Sequence, residues 1–447
     1  MEQFCVGFGR TCVTPALGTG IYGYYKVRLA DQILDDVEVN ALALSLGETK
    51  ALVISVDCCY MQAYVQKPMH EALTAATGLP DEAIFLHCTH THTSGGVEPG
   101  SEDPLMQQYF QLMKQRLTEA SLAALADLKP ARMGWGIGQA PGIAFVRRFR
   151  MKDGSIQTNP GLNNPMIEAP IGDVDERVNV LRFDRENDTI LLANFGCHPD
   201  TVGGCRISAD WPGFARRRVE KAMDNVKCLF FNGAEGDINH VNVHADRGDL
   251  NGLENDFDDV LRGYTHSSHM GNVVAGAILQ VFEKVNYVEV SELRTIKQIV
   301  EVPSNIPDPA DLPNARRINE LHQSGRDDEI PFKGMMLTTV VAEAERMLKL
   351  QNGPDSFPMQ LTALAIGPVA MFGIPGEPFM QIGRALQQTP GWELVLPCCN
   401  TNGAEGYFPT EDAYREGGYE ARSSQFRAGV AEFLIDRGQA LLGELHG

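Results

Sequence analysis

Long apolar runs are missing from this sequence. The longest are strand-length and broken by glycine or charge, short of the roughly 18 apolar residues that a membrane-spanning helix needs. A secretory leader is missing as well, because residues 1–15 carry an acid at Glu2 and no apolar core. No stable membrane insertion is expected. Ten cysteines are present but no CxxC pair, and four of the ten stand as the neighbours Cys58-Cys59 and Cys398-Cys399, which cannot easily bridge each other. Without a leader, all ten are expected to be reduced thiols in a cytoplasmic protein. Positive charge is scarce, with 38 Lys and Arg against 58 Asp and Glu and a net charge of −20. Such a field repels nucleic acid unless a local basic patch overrides it. The cluster Arg147, Arg148, Arg150 and Lys152 is short, and Arg216, Arg217 and Arg218 read as a solvated helix face. Nucleic acid is excluded as the main partner. Internal repeats, low-complexity tracts and clear linkers are absent too. The chain is read as one large domain over 1–447, with little to support a division near residue 290. Residues 141–174, 242–264 and 303–328 read as loops or lids.

What is present is an ordinary globular composition, 43% hydrophobic and 21% charged, which excludes a fibre or a disordered chain. Short apolar runs alternate with longer amphipathic stretches. Strands are predicted at 41–46, 51–56, 83–88, 178–183, 189–195, 227–231, 293–302, 360–366, 369–374 and 393–397. Helices are predicted at 65–76, 104–128, 213–225, 258–285, 310–323, 334–351, 378–388 and 422–442. This alternation implies an α/β fold of mixed β-sheets covered by helices.

Polar residues collect where the strands end. One strand ends at Asp57 and another runs into Thr89, His90, Thr91 and His92. Others run into His198, Pro199 and Asp200, into Asn232, Gly233, Glu235, Gly236 and Asp237, and into Pro375, Gly376 and Glu377. In open α/β sheets, ligands bind beyond the carboxyl ends of the strands. In extended backbone an i, i+2 pair points to one face, so His90 and His92 suit one metal, or a metal and a helper group. Two histidines and a carboxylate are a common zinc set for hydrolysis. His198 alone reads as a packed or capping residue, and Asp210 reads either as a helix N-cap or as part of a site. The aromatic run from Tyr407 to Tyr414, followed by Tyr419 and Glu420, reads by itself as packing.

These blocks, in this order, resemble the catalytic domain of the neutral ceramidases. Thr89-His90-Thr91-His92 is similar to that family's THTH motif, and Cys197-His198-Pro199 to its His-Pro element. Ser208-Ala209-Asp210 with Gly213 resembles its Asp-containing turn, and Gly236-Asp237 part of its NxGD element. Pro375-Gly376-Glu377 matches its PGE motif, and Tyr407, Thr410, Glu411, Tyr414, Tyr419 and Glu420 resemble its closing block. The resemblance implies a single catalytic domain of that fold, with zinc held by His90, His198, Glu377 and Tyr407. It implies that His92 orients or stabilises the reacting group, and that Arg147 contacts the substrate carbonyl or oxyanion. The departures are as informative. The family's catalytic serine position is occupied by Asn239, and an amide is no useful nucleophile. His240 beside it is either an acid/base group or a solvated loop histidine. The chain stops soon after the closing block, so no C-terminal β-sandwich domain is expected.

The expected function is zinc-dependent hydrolysis of an amide or ester bond in a small, polar substrate. Metal-activated water is the attacking group, and ceramide itself is disfavoured. His92 or Asp237 would take the proton, and Arg147 or Tyr407 would stabilise the oxyanion. Asp57, Asp210, Asn239 and His240 are the candidate substrate-binding residues. Two alternatives stay open: a zinc enzyme of other chemistry (lactone, glycoside or elimination), and a non-catalytic metal-bound protein that binds a metabolite. The ligand types also admit manganese or iron, and the oligomeric state is not legible.

Overall fold

In the computed structural model, which describes residues 2–446, one arrangement of strands and helices occurs three times. The first unit is β1 (Phe4–Cys12), β2 (Glu38–Leu46), β3 (Thr49–Val56), α1 (Ala63–Thr77), β4 (Ile84–Cys88) and α2 (Pro104–Ala126). The second is β5 (Arg132–Gln139), β6 (Arg177–Asp184), β7 (Thr189–Phe195), α3 (Asp210–Ala222), β8 (Val226–Asn232) and α4 (Tyr264–Val281). The third opens with β9 (Leu293–Pro303), carries the inserted helices α5 (Leu312–Gln323) and α6 (Gly334–Leu350), and resumes with β10 (Ser356–Ile366) and β11 (Val369–Gly373). It closes with α7 (Met380–Gln387), β12 (Leu394–Cys398) and α8 (Val430–His446). In every unit the first three strands form an antiparallel meander. The fourth strand pairs parallel to the third. A parallel neighbour needs a crossover, and α1, α3 and α7 supply it. The final helix of each unit lies back over the first strand. The sequence carries no visible repeat because the shared feature is topology, and topology constrains only the pattern of burial.

The strands read as near-continuous apolar runs because both faces are covered. Along β2, residues 39–46 are all buried. Inward-facing Leu42, Leu44 and Phe85 of the first unit meet Leu181, Phe183 and Phe231 of the second and Leu364, Ile366 and Leu396 of the third in one shared core. Outward faces pack on the helices in three separate cores.

Buried polar side chains tie the three units together. His87 in β4 has Nδ1 2.7 Å from the Cys399 carbonyl, and its Nε2 accepts from the Asn232 amide. One imidazole of the first unit thus satisfies backbone groups of the other two. Burial pushes it down to about 3, so it stays neutral. The amide of Asn194 in β7 donates to the carbonyls of Phe231 and Pro397. The carboxyl ends of all three parallel pairs therefore meet at one end of the molecule, where Cys88 N bonds Asn400 O and Cys399 N bonds Asn232 O.

The ten predicted strands and eight helices are all present, with shifted boundaries. Strands β1 and β5 escaped the sequence reading because both alternate with glycine. The structure gives the reason. A Cβ on Gly9 would lie 2.0 Å from the Ala120 carbonyl of α2, and one on Gly138 would lie 2.1 Å from the Ala277 carbonyl of α4. The final helix of each of the first two units rests directly on the backbone of its first strand. Gly138→Val is expected to push α4 outward and lower stability by about 1–3 kcal/mol. Chemical denaturation measures this, and an unchanged midpoint would contradict it. Two helices begin more than a turn later than predicted. Residues 254–262 form a small hairpin held by Arg262 on Asp200, Asp256 and Asp258, which delays α4 to Tyr264. Gly429, at φ +94°, precedes α8. No helix among the described residues is long and apolar enough to cross a membrane.

Candidate metal centre

The ends of the parallel strands carry the chemistry. After β4 the chain turns sharply, and His90 adopts φ +73°, a region that non-glycine residues rarely occupy. The turn is held by the His90 amide on the Cys58 carbonyl. His90 and His92 do converge, with Nε2 atoms 3.2 Å apart. Their convergence comes from this left-handed residue, however, and not from the extended backbone expected.

Glu377 and Tyr407 are placed by a two-residue parallel pairing, Glu377–Pro378 against Tyr407–Phe408, in which they stand side by side. The pairing depends on Gly376 (φ +153°), where a Cβ would lie 2.5 Å from the Gly406 carbonyl. On the other side, Gly236 lets the loop after β8 approach, since its Cβ would lie 2.5 Å from the Glu377 carbonyl.

Donor atoms from the three units then meet. Glu377 Oε2 lies 3.1 Å from His198 Nε2 and 3.5 Å from His90 Nε2. The Tyr407 hydroxyl lies 3.4 Å from His198 Nε2. Metal arms of about 2.0–2.1 Å in a tetrahedron set neighbouring donors about 3.3–3.4 Å apart, so this spacing fits a small dication. The rings are correctly presented as well. His90 Nδ1 is 2.8 Å from the Cys59 carbonyl, and His198 Nδ1 is 2.8 Å from the Glu235 carbonyl. Carbonyls only accept, so Nδ1 carries the proton in both rings and the Nε2 lone pairs point inward. His90, His198, Glu235 and Glu377 form a group able to hold a metal ion, as do Cys59, His90 and His92.

Electrostatics at this point are strongly coupled. Burial opposes the imidazolium of His90, but Glu235 and Glu377 outweigh it and the net direction is well up. His198 is likewise raised, with Glu235 outweighing burial and Arg147. Burial opposes the Glu377 carboxylate too, and the two histidines still hold it well below the usual range. Burial and Glu377 push the Tyr407 phenol up against the pull of Arg147.

Arg147 belongs to the same constellation. Its NH1 lies 3.4 Å from His198 Nε2, its NH2 donates to the Gly236 carbonyl, and its guanidinium sits over the Tyr407 ring. Nε pairs at 2.7 Å with Glu420, which is fully buried. His92 faces Asp200 through Nδ1 at 3.7 Å. Burial holds His92 well below its ordinary value, despite the opposing pull of Asp200. Burial disfavours the charge on Asp200, yet Arg262 holds it well below the carboxylate range. Arg262 grips Asp200 with Nε at 3.0 Å and NH2 at 2.9 Å.

The other candidates lie elsewhere or are engaged. Asp237, pushed up to about 6 by burial, accepts at Oδ1 from the Met380 amide at the start of α7. Asn239 donates to Asn159 and accepts from the Val241 amide, and it touches none of the metal-facing donors. His240 is buried rather than solvated, with Nε2 2.8 Å from the Leu261 carbonyl. Asp57 accepts both guanidinium nitrogens of Arg216, at 2.9 and 2.5 Å, and both residues are buried. Arg216 is therefore no part of a solvated face. Asp210, at φ +51°, accepts from the amides of Thr201, Val202 and Trp211 and from the Ser267 hydroxyl. Both carboxylates are spent on the scaffold. Glu235, Asp200 and Glu420 were visible as polar residues near strand ends or motif blocks, but sequence gave them no partners and hence no task.

Aromatic residues that sequence reading passed over pack against the converging side chains. A strap through Tyr22, Gly23 and Tyr24 crosses His92 so closely that a Cβ on Gly23 would lie 2.8 Å from its ring. The Tyr24 ring is 5.3 Å from that of His92, Tyr22 stacks on Tyr60, and Tyr419 meets Tyr407 edge-on.

No family model and no curated protein matches the chain. Solved structures do. A neutral ceramidase from Pseudomonas aeruginosa superposes with a TM-score of 0.72 at 17% identity, over 99% of this chain and 75% of that one. A ceramidase complexed with C2 matches with a TM-score of 0.72 at 18% identity, over 99% of this chain and 76% of the other. The chain has the fold of the neutral ceramidases.

Proposed function

We propose that this protein is a zinc-dependent hydrolase that cleaves an amide or ester bond in a small, polar substrate. The observation that carries this reading is the convergence of His90, His198, Glu377 and Tyr407 at tetrahedral spacing, with both histidine Nδ1 atoms tied to carbonyls. Those four residues would hold the metal. A dication there supplies Lewis acidity and an activated water at neutral pH. The fold likeness to ceramidases supports hydrolysis.

The chain's own residues supply the rest. Arg147, fixed by Glu420, directs its NH1 toward the metal-facing donors and is placed to receive the charge that develops on a carbonyl oxygen. His92 faces Asp200 through Nδ1, which places its imidazole to take a proton with a carboxylate behind it. Asn239 offers no nucleophile, which favours direct attack by water over a covalent route. The charged loop around 246–259 favours a polar substrate over a lipid.

The test is a screen of the metal-loaded protein on short amides, esters, lactones and glycosides. Hydrolysis of an amide or ester supports the reading. Activity on lactones or glycosides alone would overturn it in favour of other zinc chemistry, and silence with tight metabolite binding would favour a binding protein.

The charge pattern gives a pH prediction. His90 and His198 must be neutral at Nε2 to bind metal, and in the metal-free protein both are raised. Protons compete from above the ordinary histidine range, so metal affinity is expected to fall steadily from about pH 8 to about pH 5. Competition with a chromogenic chelator across that range measures it. A flat profile would contradict it.

A further inference from the structure

The residue that the motifs leave without a task is Glu235. Its side chain is fully buried in the loop after β8. Among the described residues no lysine or arginine pairs with it, and its carboxylate meets His198 Nδ1, with an oxygen within 4.8 Å of donor atoms of His90 and Glu377. The Cys399 thiol is a further polar neighbour. A buried carboxylate with so few partners is costly unless opposite charge lies near. One dication at the converging Nε2 atoms would balance Glu235 and Glu377 together.

We infer that Glu235 is a positioning residue for the metal centre. It fixes the His198 ring, makes that ring a stronger donor, and links metal binding to stability. Ligation by Nε2 leaves Nδ1–H facing outward, and Glu235 is placed to accept that hydrogen together with its own backbone carbonyl and that of Ile238. His90 Nδ1 meets only the uncharged carbonyl and thiol of Cys59, so the two histidines are unequal donors and His198 is the stronger. Glu235 adds a negative charge that the ligand set itself does not need. The metal therefore also neutralises a charge buried within the fold. This inference rests on the proposed metal site.

The experiment compares wild type with Glu235→Gln, using chelator competition for Zn2+ and thermal melts of both forms with and without Zn2+. Wild type is expected to bind about one zinc per chain, and E235Q to bind it about 10–100-fold more weakly. Zinc should then raise the melting temperature less in E235Q than in wild type. Equal zinc affinity in the two proteins would overturn the inference while leaving the metal site standing. A wild type that binds no zinc would remove the proposed site itself.

Discussion

Replacing His198 with alanine is expected to strip the protein of its metal and of its activity together. His198 Nε2 sits at the middle of the donor set, within 3.1 Å of Glu377 and 3.4 Å of both Tyr407 and Arg147. Without that ring a cation would keep two side chains of one unit and one of another, around a hole the size of an imidazole. The loss should exceed the roughly 10–100-fold that outer partners of a metal site cost. His90→Ala should behave alike, because the second imidazole comes from the opposite side of the site. His266→Ala is the control: that ring lies against His240 and His269, away from the donor set, and its loss should leave metal content unchanged. Metal per chain and turnover on the best substrate of the screen are the readouts. Full turnover in either His198→Ala or His90→Ala would sink the proposed mechanism.

The largest stability effect is expected at Asp57. Its carboxylate and the Arg216 guanidinium form a two-point pair with 0% and 1% of their side chains exposed. Arg216 sits on α3 of the second unit and Asp57 at the end of β3 in the first, so the pair fastens two units together. Asp57→Ala leaves the guanidinium buried, with the mostly buried Glu38 as its remaining carboxylate partner at 3.4 Å. Breaking such a pair from one side costs about 3–5 kcal/mol. Replacing both residues by apolar ones, as in Asp57→Leu with Arg216→Met, should recover most of that loss. Denaturant titration of the single and double variants measures it. A single variant within about 1 kcal/mol of wild type would contradict the structural role and return Asp57 to the list of substrate-binding candidates.

Much of this was legible in the residues, and the failures have physical causes. Strand ends announced the site because apolar runs stop abruptly at His90, His198 and Glu377, and a buried strand end tolerates such residues only when something pairs with them. Pro375-Gly376-Glu377 could be read because a glycine at φ +153° leaves a local signature. Asp57 and Asp210 looked like site residues for the same reason, a carboxylate at a strand end or a turn. Only the fold reveals that Arg216 and a ring of backbone amides have taken them. Glu235 and Asp200 could not be assigned at all, since their partners lie in His198, His92 and Arg262 and are set by tertiary approach. The glycine strands β1 and β5 were hidden for a related reason: glycine there answers to a helix more than a hundred residues away in sequence from Gly9, at Ala120. The threefold topology was hidden because each unit fills the same burial pattern with different side chains.

The most direct measurement is the metal content of the purified protein, determined by elemental mass spectrometry after preparation without chelator. About one zinc per chain, lost in His198→Ala, is the result expected from four converging donors. A folded protein that holds no metal after purification and takes up none from added zinc would contradict the central claim.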